Sequence, residues 1–133
     1  MHYIISFESR SFDLVNEIQN PINPIHGKSI GDWLYPQLTE AGAEVSEIDA
    51  EDWGWYYDVS FKGQTYMVGF VGLPEDNPSE APELIIQIEK LRSFIEKITS
   101  KNTMDEKDHL LVLIQKLAEN IGDITNFNVR KNA

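Results

Sequence analysis

A few short stretches of this 133-residue sequence combine residue types and spacings that do chemistry in proteins. Gly27-Lys28-Ser29 has the ending of a phosphate-binding loop, but the glycine such a loop needs five positions earlier is Ile22, and Pro24 falls inside it. What survives is a helix start whose backbone amides can accept an anion. Asp49, Glu51 and Gly54 fill the first, third and sixth positions of a calcium loop. Trp53 takes the fifth and Ser60 the twelfth, where a bidentate glutamate belongs, so an EF-hand is excluded. His2, His26 and His109 have no metal-ligand spacing among themselves, and no metal or cofactor is expected. His26 precedes the helix start and is the histidine placed to act as a base or ligand. Glu51 and Asp52 offer paired carboxylates, but adjacent residues on a strand point to opposite faces. No serine stands in a nucleophile-elbow context, and no residue is assigned a catalytic role.

The strongest remaining signal is aromatic. Trp53, Trp55, Tyr56 and Tyr57 follow directly on the acids of Asp49 to Asp52. One reading is structural: Trp53, Trp55 and Tyr57 fill a buried sheet face while Tyr56 faces out. The other is an aromatic anchor with an acidic rim, onto which a partner's basic groups stack. The binding candidates on that reading are Asp49, Glu51, Asp52, Trp53, Trp55 and His26.

Charge supports it. The net charge is −11, and the segment from Asp32 to Glu83 holds twelve acids against one base, Lys62, so it carries the whole imbalance. Such a block repels nucleic acid and anionic membranes and favours a basic protein partner. The absence of cysteine removes disulfides, thiolate metal sites and cysteine nucleophiles, and it fits a reducing compartment. No apolar run approaches the ~20 residues of a membrane span, and the start lacks the pattern of a secretory signal, so a cytoplasmic protein is expected.

The elements that must position these residues form one α+β domain over residues 1–133. Tyr3, Ile5 and Phe7 alternate as a first strand. Phe12, Val15 and Ile18 are spaced like one face of a short helix, before Pro21 and Pro24 force an irregular connection. Ser29 and Asp32 have capping-box spacing ahead of a helix through Trp33 and Leu38 to Gly42, with a kink or break expected at Pro36. Val45 and Ile48 suggest a short strand. Trp53 to Phe61 and Tyr66 to Phe70 form a hairpin around Lys62-Gly63. Pro74 to Pro82 reads as an exposed loop, and Leu84, Ile86 and Ile88 as another strand. Leu91, Phe94, Ile95 and Ile98 fit either strand or helix. Thr103 and Glu106 suggest a capping box for a helix carrying Leu110 to Ile121, with a last strand from Ile124 to Val129. The expected order is β-α-β-β-β-α-β: a mostly antiparallel sheet with two main helices packed on one face.

The run from Gly27 through Trp33-Leu34 to Glu51-Asp52-Trp53-Gly54-Trp55, with Gly63 and Tyr66, resembles small uncharacterised bacterial proteins that carry a Glu-Asp-Trp-Gly-Trp core. The resemblance covers the middle third of the chain and implies a bacterial source without an activity. In size and charge alone, the chain is similar to bacterial immunity proteins that neutralise toxins. The expected function is therefore a non-enzymatic acidic binding protein, an immunity protein or inhibitor of a basic partner. The alternative is a small enzyme or ligand-binding domain with a cleft near His26 and Asp52. A homodimer that buries exposed strand or aromatic surface is a third reading.

Overall fold

A computed structural model describes residues 2–77 and 79–132. Strand β1 (His2–Glu8) is followed by a long irregular segment and helix α1 (Lys28–Glu40). Then come β2 (Glu44–Val45), β3 (Asp49–Glu51), β4 (Gly54–Phe61), β5 (Gln64–Leu73) and β6 (Glu83–Leu91). Helices α2 (Phe94–Ile98) and α3 (His109–Glu119) precede the last strand, β7 (Thr125–Asn132). The α+β class and the mostly antiparallel sheet stand as expected. The order differs: five strands, not three, separate α1 from the next helix, and α2 is additional.

The strands make one sheet in the order β2-β4-β5-β6-β1-β7, and β3 shares the free edge of β4 with β2. Every pairing is antiparallel. The β4–β5 hairpin follows from its sequence. Lys62 and Gly63 both adopt positive φ, 49° and 77°, which is the two-residue turn whose twist matches that of the flanking strands. Its register, Tyr57 opposite Val68 and Val59 opposite Tyr66, sends Trp55, Tyr57, Val59 and Phe61 to one face and Tyr56, Asp58 and Ser60 to the other.

The first face is the core. Ile30, Leu34 and Leu38 of α1 and Leu110, Ile114 and Ala118 of α3 join the same buried cluster as Tyr57, Tyr66 and Phe70. The Tyr57 hydroxyl donates to the Gly31 carbonyl at 3.0 Å. Gly31 has no room for a side chain, since a Cβ there would lie 3.0 Å from the Phe70 ring. On the α3 side the Tyr66 hydroxyl donates to Asp108 Oδ2 at 3.0 Å, and Lys90 Nζ lies 3.3 Å from the same oxygen. Burial, and then the Asp108 charge, push the Tyr66 hydroxyl's pKa up.

Several local expectations are corrected. No helix forms between β1 and α1; Phe12 and Leu14 are buried, whereas Val15 and Ile18 are 79% and 68% exposed. Leu14 occupies the space that a side chain at Gly72 would need, so the segment packs through its even positions there instead of through a helical stripe. The Ser29–Asp32 box is not what caps α1. Glu17 reaches in from the loop, and its carboxylate accepts from the Lys28 amide at 2.7 Å and the Gly27 amide at 3.0 Å. Asp32 pairs with Lys28 instead. Pro36 lies within an unbroken α1. The cap of α3 is Asp108, accepting from Leu110 and Leu111, so the helix begins later than the Thr103–Glu106 box implied. Of the expected Val45–Ile48 strand only Val45 is strand, in β2, while Ile48 lies between β2 and β3; the acids from Asp49 to Glu51 are themselves strand. Pro78, inside the expected 74–82 loop, lies outside the described residues; its described neighbours 74–77, 79 and 80 are exposed. Among the described residues no helix is long and apolar enough to cross a membrane.

Candidate binding site

The acidic residues gather at one end of the sheet because a tight hairpin joins β3 to β4. Glu51 pairs with Gly54, leaving Asp52 and Trp53 as the turn. Gly54 closes it at φ 156°, where a Cβ would meet the Phe70 carbonyl oxygen at 2.6 Å. Trp53 is therefore a turn residue and not, as its spacing suggested, the first inward ring of β4. Its ring folds onto the other face of the sheet, against Gly69, where a Cβ would come within 2.6 Å of Trp53 Cη2. There it sits 6.3 Å from the Tyr56 ring and stays 36% exposed.

Two asparagines tie the irregular segment to this turn. The Asn20 amide donates to the carbonyls of Glu51 at 3.0 Å and Gly54 at 2.8 Å. Its Oδ1 accepts from the amides of Ile22 and Asn23. Asn23 Nδ2 donates to the Asp52 carbonyl at 2.9 Å. Asn20 is buried, and each bond it makes satisfies a group that burial would otherwise leave unpaired. Farther along, the Gly72 amide donates to the His26 carbonyl at 2.7 Å, and Trp55 Nε1 donates to the Ile25 carbonyl at 3.3 Å. Residues 19–26 thus form a fixed rim around a hollow of about 300 Å³. Pro21, Ile22, Pro24 and Ile25 give it an apolar lining and His26 a polar one.

The candidates named from sequence separate here. Glu51, Asp52 and Trp53 are exposed at the turn, and His26 lines the hollow beside it. Trp55 is 5% exposed and belongs to the core, where its indole holds the Ile25 loop; it presents no surface to a partner. Asp49 lies on the face away from the core, directly opposite Tyr56, with Asp58 two residues farther along β4. Desolvation first, and then the charges of Asp49, Asp58 and Glu51, raise the pKa of the Tyr56 hydroxyl.

Sequence reasoning missed one contributor. Ile22, 58% exposed, projects between Asn20 and Asn23, which tie it to the Glu51–Asp52 turn. Val15 and Ile18, whose spacing with Phe12 pointed inward, are exposed; the signal against a helix was Pro21 and Pro24. The Gly27-Lys28-Ser29 amides do hold an anion, but it is Glu17, which also accepts from the Ser29 hydroxyl at 3.0 Å. Among the described residues no group of three or more His, Asp or Glu is placed to hold a metal ion. No family model, curated protein or solved structure matches this chain.

Proposed function

We propose that the chain is a non-enzymatic acidic binding protein that holds a basic protein partner, in the manner of a bacterial immunity protein or inhibitor. The observation that carries this reading is the corner where Ile22 stands exposed between Asn20 and Asn23, which pin it to the acidic Glu51–Asp52 turn, with Val15 and Ile18 exposed earlier on the same segment. Exposed apolar side chains on a rigid support supply contact area, and the carboxylates around them select a cationic partner and speed its approach. Packing both main helices on one face of the sheet leaves this corner and the opposite face free for recognition. The Glu51–Trp55 core resembles that of small bacterial proteins, and a cysteine-free, acidic chain suits the cytoplasm. The block of acids turns away nucleic acid and anionic membranes.

The test is calorimetry against basic proteins encoded beside the gene, at low and high salt. A partner that binds the wild type and binds Asp52→Lys or Ile22→Asp at least about tenfold more weakly supports the reading. Absence of binding, or affinity unchanged in both variants, overturns it. The hollow favours a second reading as a small-ligand site, because about 300 Å³ lies at the lower end of ligand-pocket volumes and His26 is its titratable group. A thermal shift with a small molecule that disappears in His26→Ala would select this second reading.

A further inference from the structure

The face of the sheet away from the core carries a pattern of its own. Directly opposed residues on antiparallel strands point to the same side, so the strand registers place Asp49, Tyr56, Gly69, Gln87, Ile4 and Arg130 in one row across β3, β4, β5, β6, β1 and β7. The rows on either side set Met67 opposite Glu89 and Val71 opposite Ile85, so the middle of the face mixes apolar side chains with Gln87 and Glu89. Met67, Val71 and Ile85 are half-buried, Ile4 is 8% exposed, and the Trp53 ring lies on this face over Gly69. The two ends of the row are charged in opposite senses. The β3–β4 edge has Asp49 and Asp58, and the β7 edge has Arg130.

We infer that a second copy of this chain covers this face, with the twofold axis parallel to the strands and passing between β5 and β6. That operator maps β4 onto the partner's β1 and β3 onto the partner's β7. Arg130 then meets Asp49 of the partner subunit, Ile4 meets the partner's Tyr56, and Gln87 meets the partner's Trp53 ring, which covers Gly69. An axis across the strands along this row instead sets Asp49 over the partner's Asp49 and Arg130 over the partner's Arg130, and juxtaposed like charges oppose it. Because each subunit carries −11, only an arrangement that meets acid with base in the contact rows can offset the repulsion; at physiological salt charges beyond about 8 Å are screened, so those rows decide.

Area sets the class of interface. Six strand positions about 4.8 Å apart, and roughly 20 Å of strand length, give a footprint near 500 Å² per subunit. That stands at the threshold of a specific interface, and two subunits of like net charge must meet across it, so a reversible dimer of about micromolar or weaker affinity is expected. Of the turn, Trp53 lies on this face whereas Asp52 is exposed, so an exchange at Asp52 separates partner binding from self-association.

Sedimentation equilibrium from about 1 μM to about 1 mM tests the inference on the whole chain. The wild type should pass from monomer to dimer across that range. Arg130→Asp and Asp49→Arg, both at exposed positions, should each weaken the dimer about tenfold, and the double exchange should restore it. A wild type that remains monomeric throughout overturns the proposal. So does a dimer indifferent to both single exchanges, or one that the double exchange fails to restore, since the latter selects a different operator. Asp52→Lys should leave the dimer intact, which keeps failure of this inference apart from failure of the partner reading.

Discussion

The two faces of this sheet are made by the same strands and differ in what closes them. On β4, neighbouring tyrosines show the contrast most directly. Tyr57 is 0% exposed, its hydroxyl on Gly31 and its ring 5.0 Å from that of Phe70. Tyr56, one residue earlier, lies half-buried on the opposite face, beside the Trp53 ring and the acids Asp49, Asp58 and Glu51. Identical side chains therefore take different roles according to strand parity alone. The core face stores the stability, and the other face remains available for contacts that come and go.

Replacing the two tyrosines in turn is the most direct way to break this comparison. Tyr57→Ala removes a fully buried ring under α1, and the cavity plus lost transfer energy should cost about 3–5 kcal/mol, read from the denaturant midpoint. Tyr56→Ala should move the same midpoint by only a small fraction of that loss. Equal losses would mean that the open face contributes to folding as much as the core face does. A slightly smaller loss, about 3 kcal/mol, is expected for Asp108→Ala, which uncaps α3 and leaves Lys90, whose side chain is 10% exposed, without its buried counter-charge. Replacing Lys90 by Met as well should recover part of it, since a buried ion pair contributes less than its rupture costs.

Legibility from sequence followed the range of the interactions. The β4–β5 hairpin was readable because alternation and the Lys62-Gly63 turn are properties of adjacent residues. The strands Leu84–Ile88 and Tyr3–Phe7 were readable for the same reason. The caps were not. Glu17 caps a helix that starts at Lys28, eleven positions away, and a search for Ser-x-x-Asp spacing finds Ser29 and Asp32 instead. Trp53 was misplaced because alternation extrapolates smoothly backwards through it, while the two-residue turn that claims it depends on the pairing of Glu51 with Gly54. Of the candidate site, the acids and Trp53 were legible by type. The segment that gives them an apolar flank was not, because Asn20 and Asn23 act across some thirty residues of sequence and leave no local pattern.

The smallest predicted effect sharpens the contrast, because it asks whether a dense set of hydrogen bonds can compensate for exposure. Asp123 is exposed, unlike Asp108, yet it ties the end of β1 to the approach to β7. Its carboxylate accepts from the Ser9 hydroxyl at 2.6 Å, the Ser11 hydroxyl at 2.7 Å and the Arg10 amide at 2.7 Å. The Ser9 bond first, then those from Ser11 and Arg10, lower its pKa to about 2. An unfolded aspartate titrates near 3.9, so the folded state binds its proton less tightly and the unfolded state takes up protons first as pH falls. The stabilisation is thus complete above about pH 5 and fades as pH drops from there through about 2. Solvent screening at this exposed position holds its size below about 1 kcal/mol. The midpoint difference between wild type and Asp123→Asn, measured by denaturation at pH 7 and pH 3, should therefore shrink on acidification. A difference that stays constant would show that the Ser9–Ser11–Asp123 junction acts through packing and not through the charge.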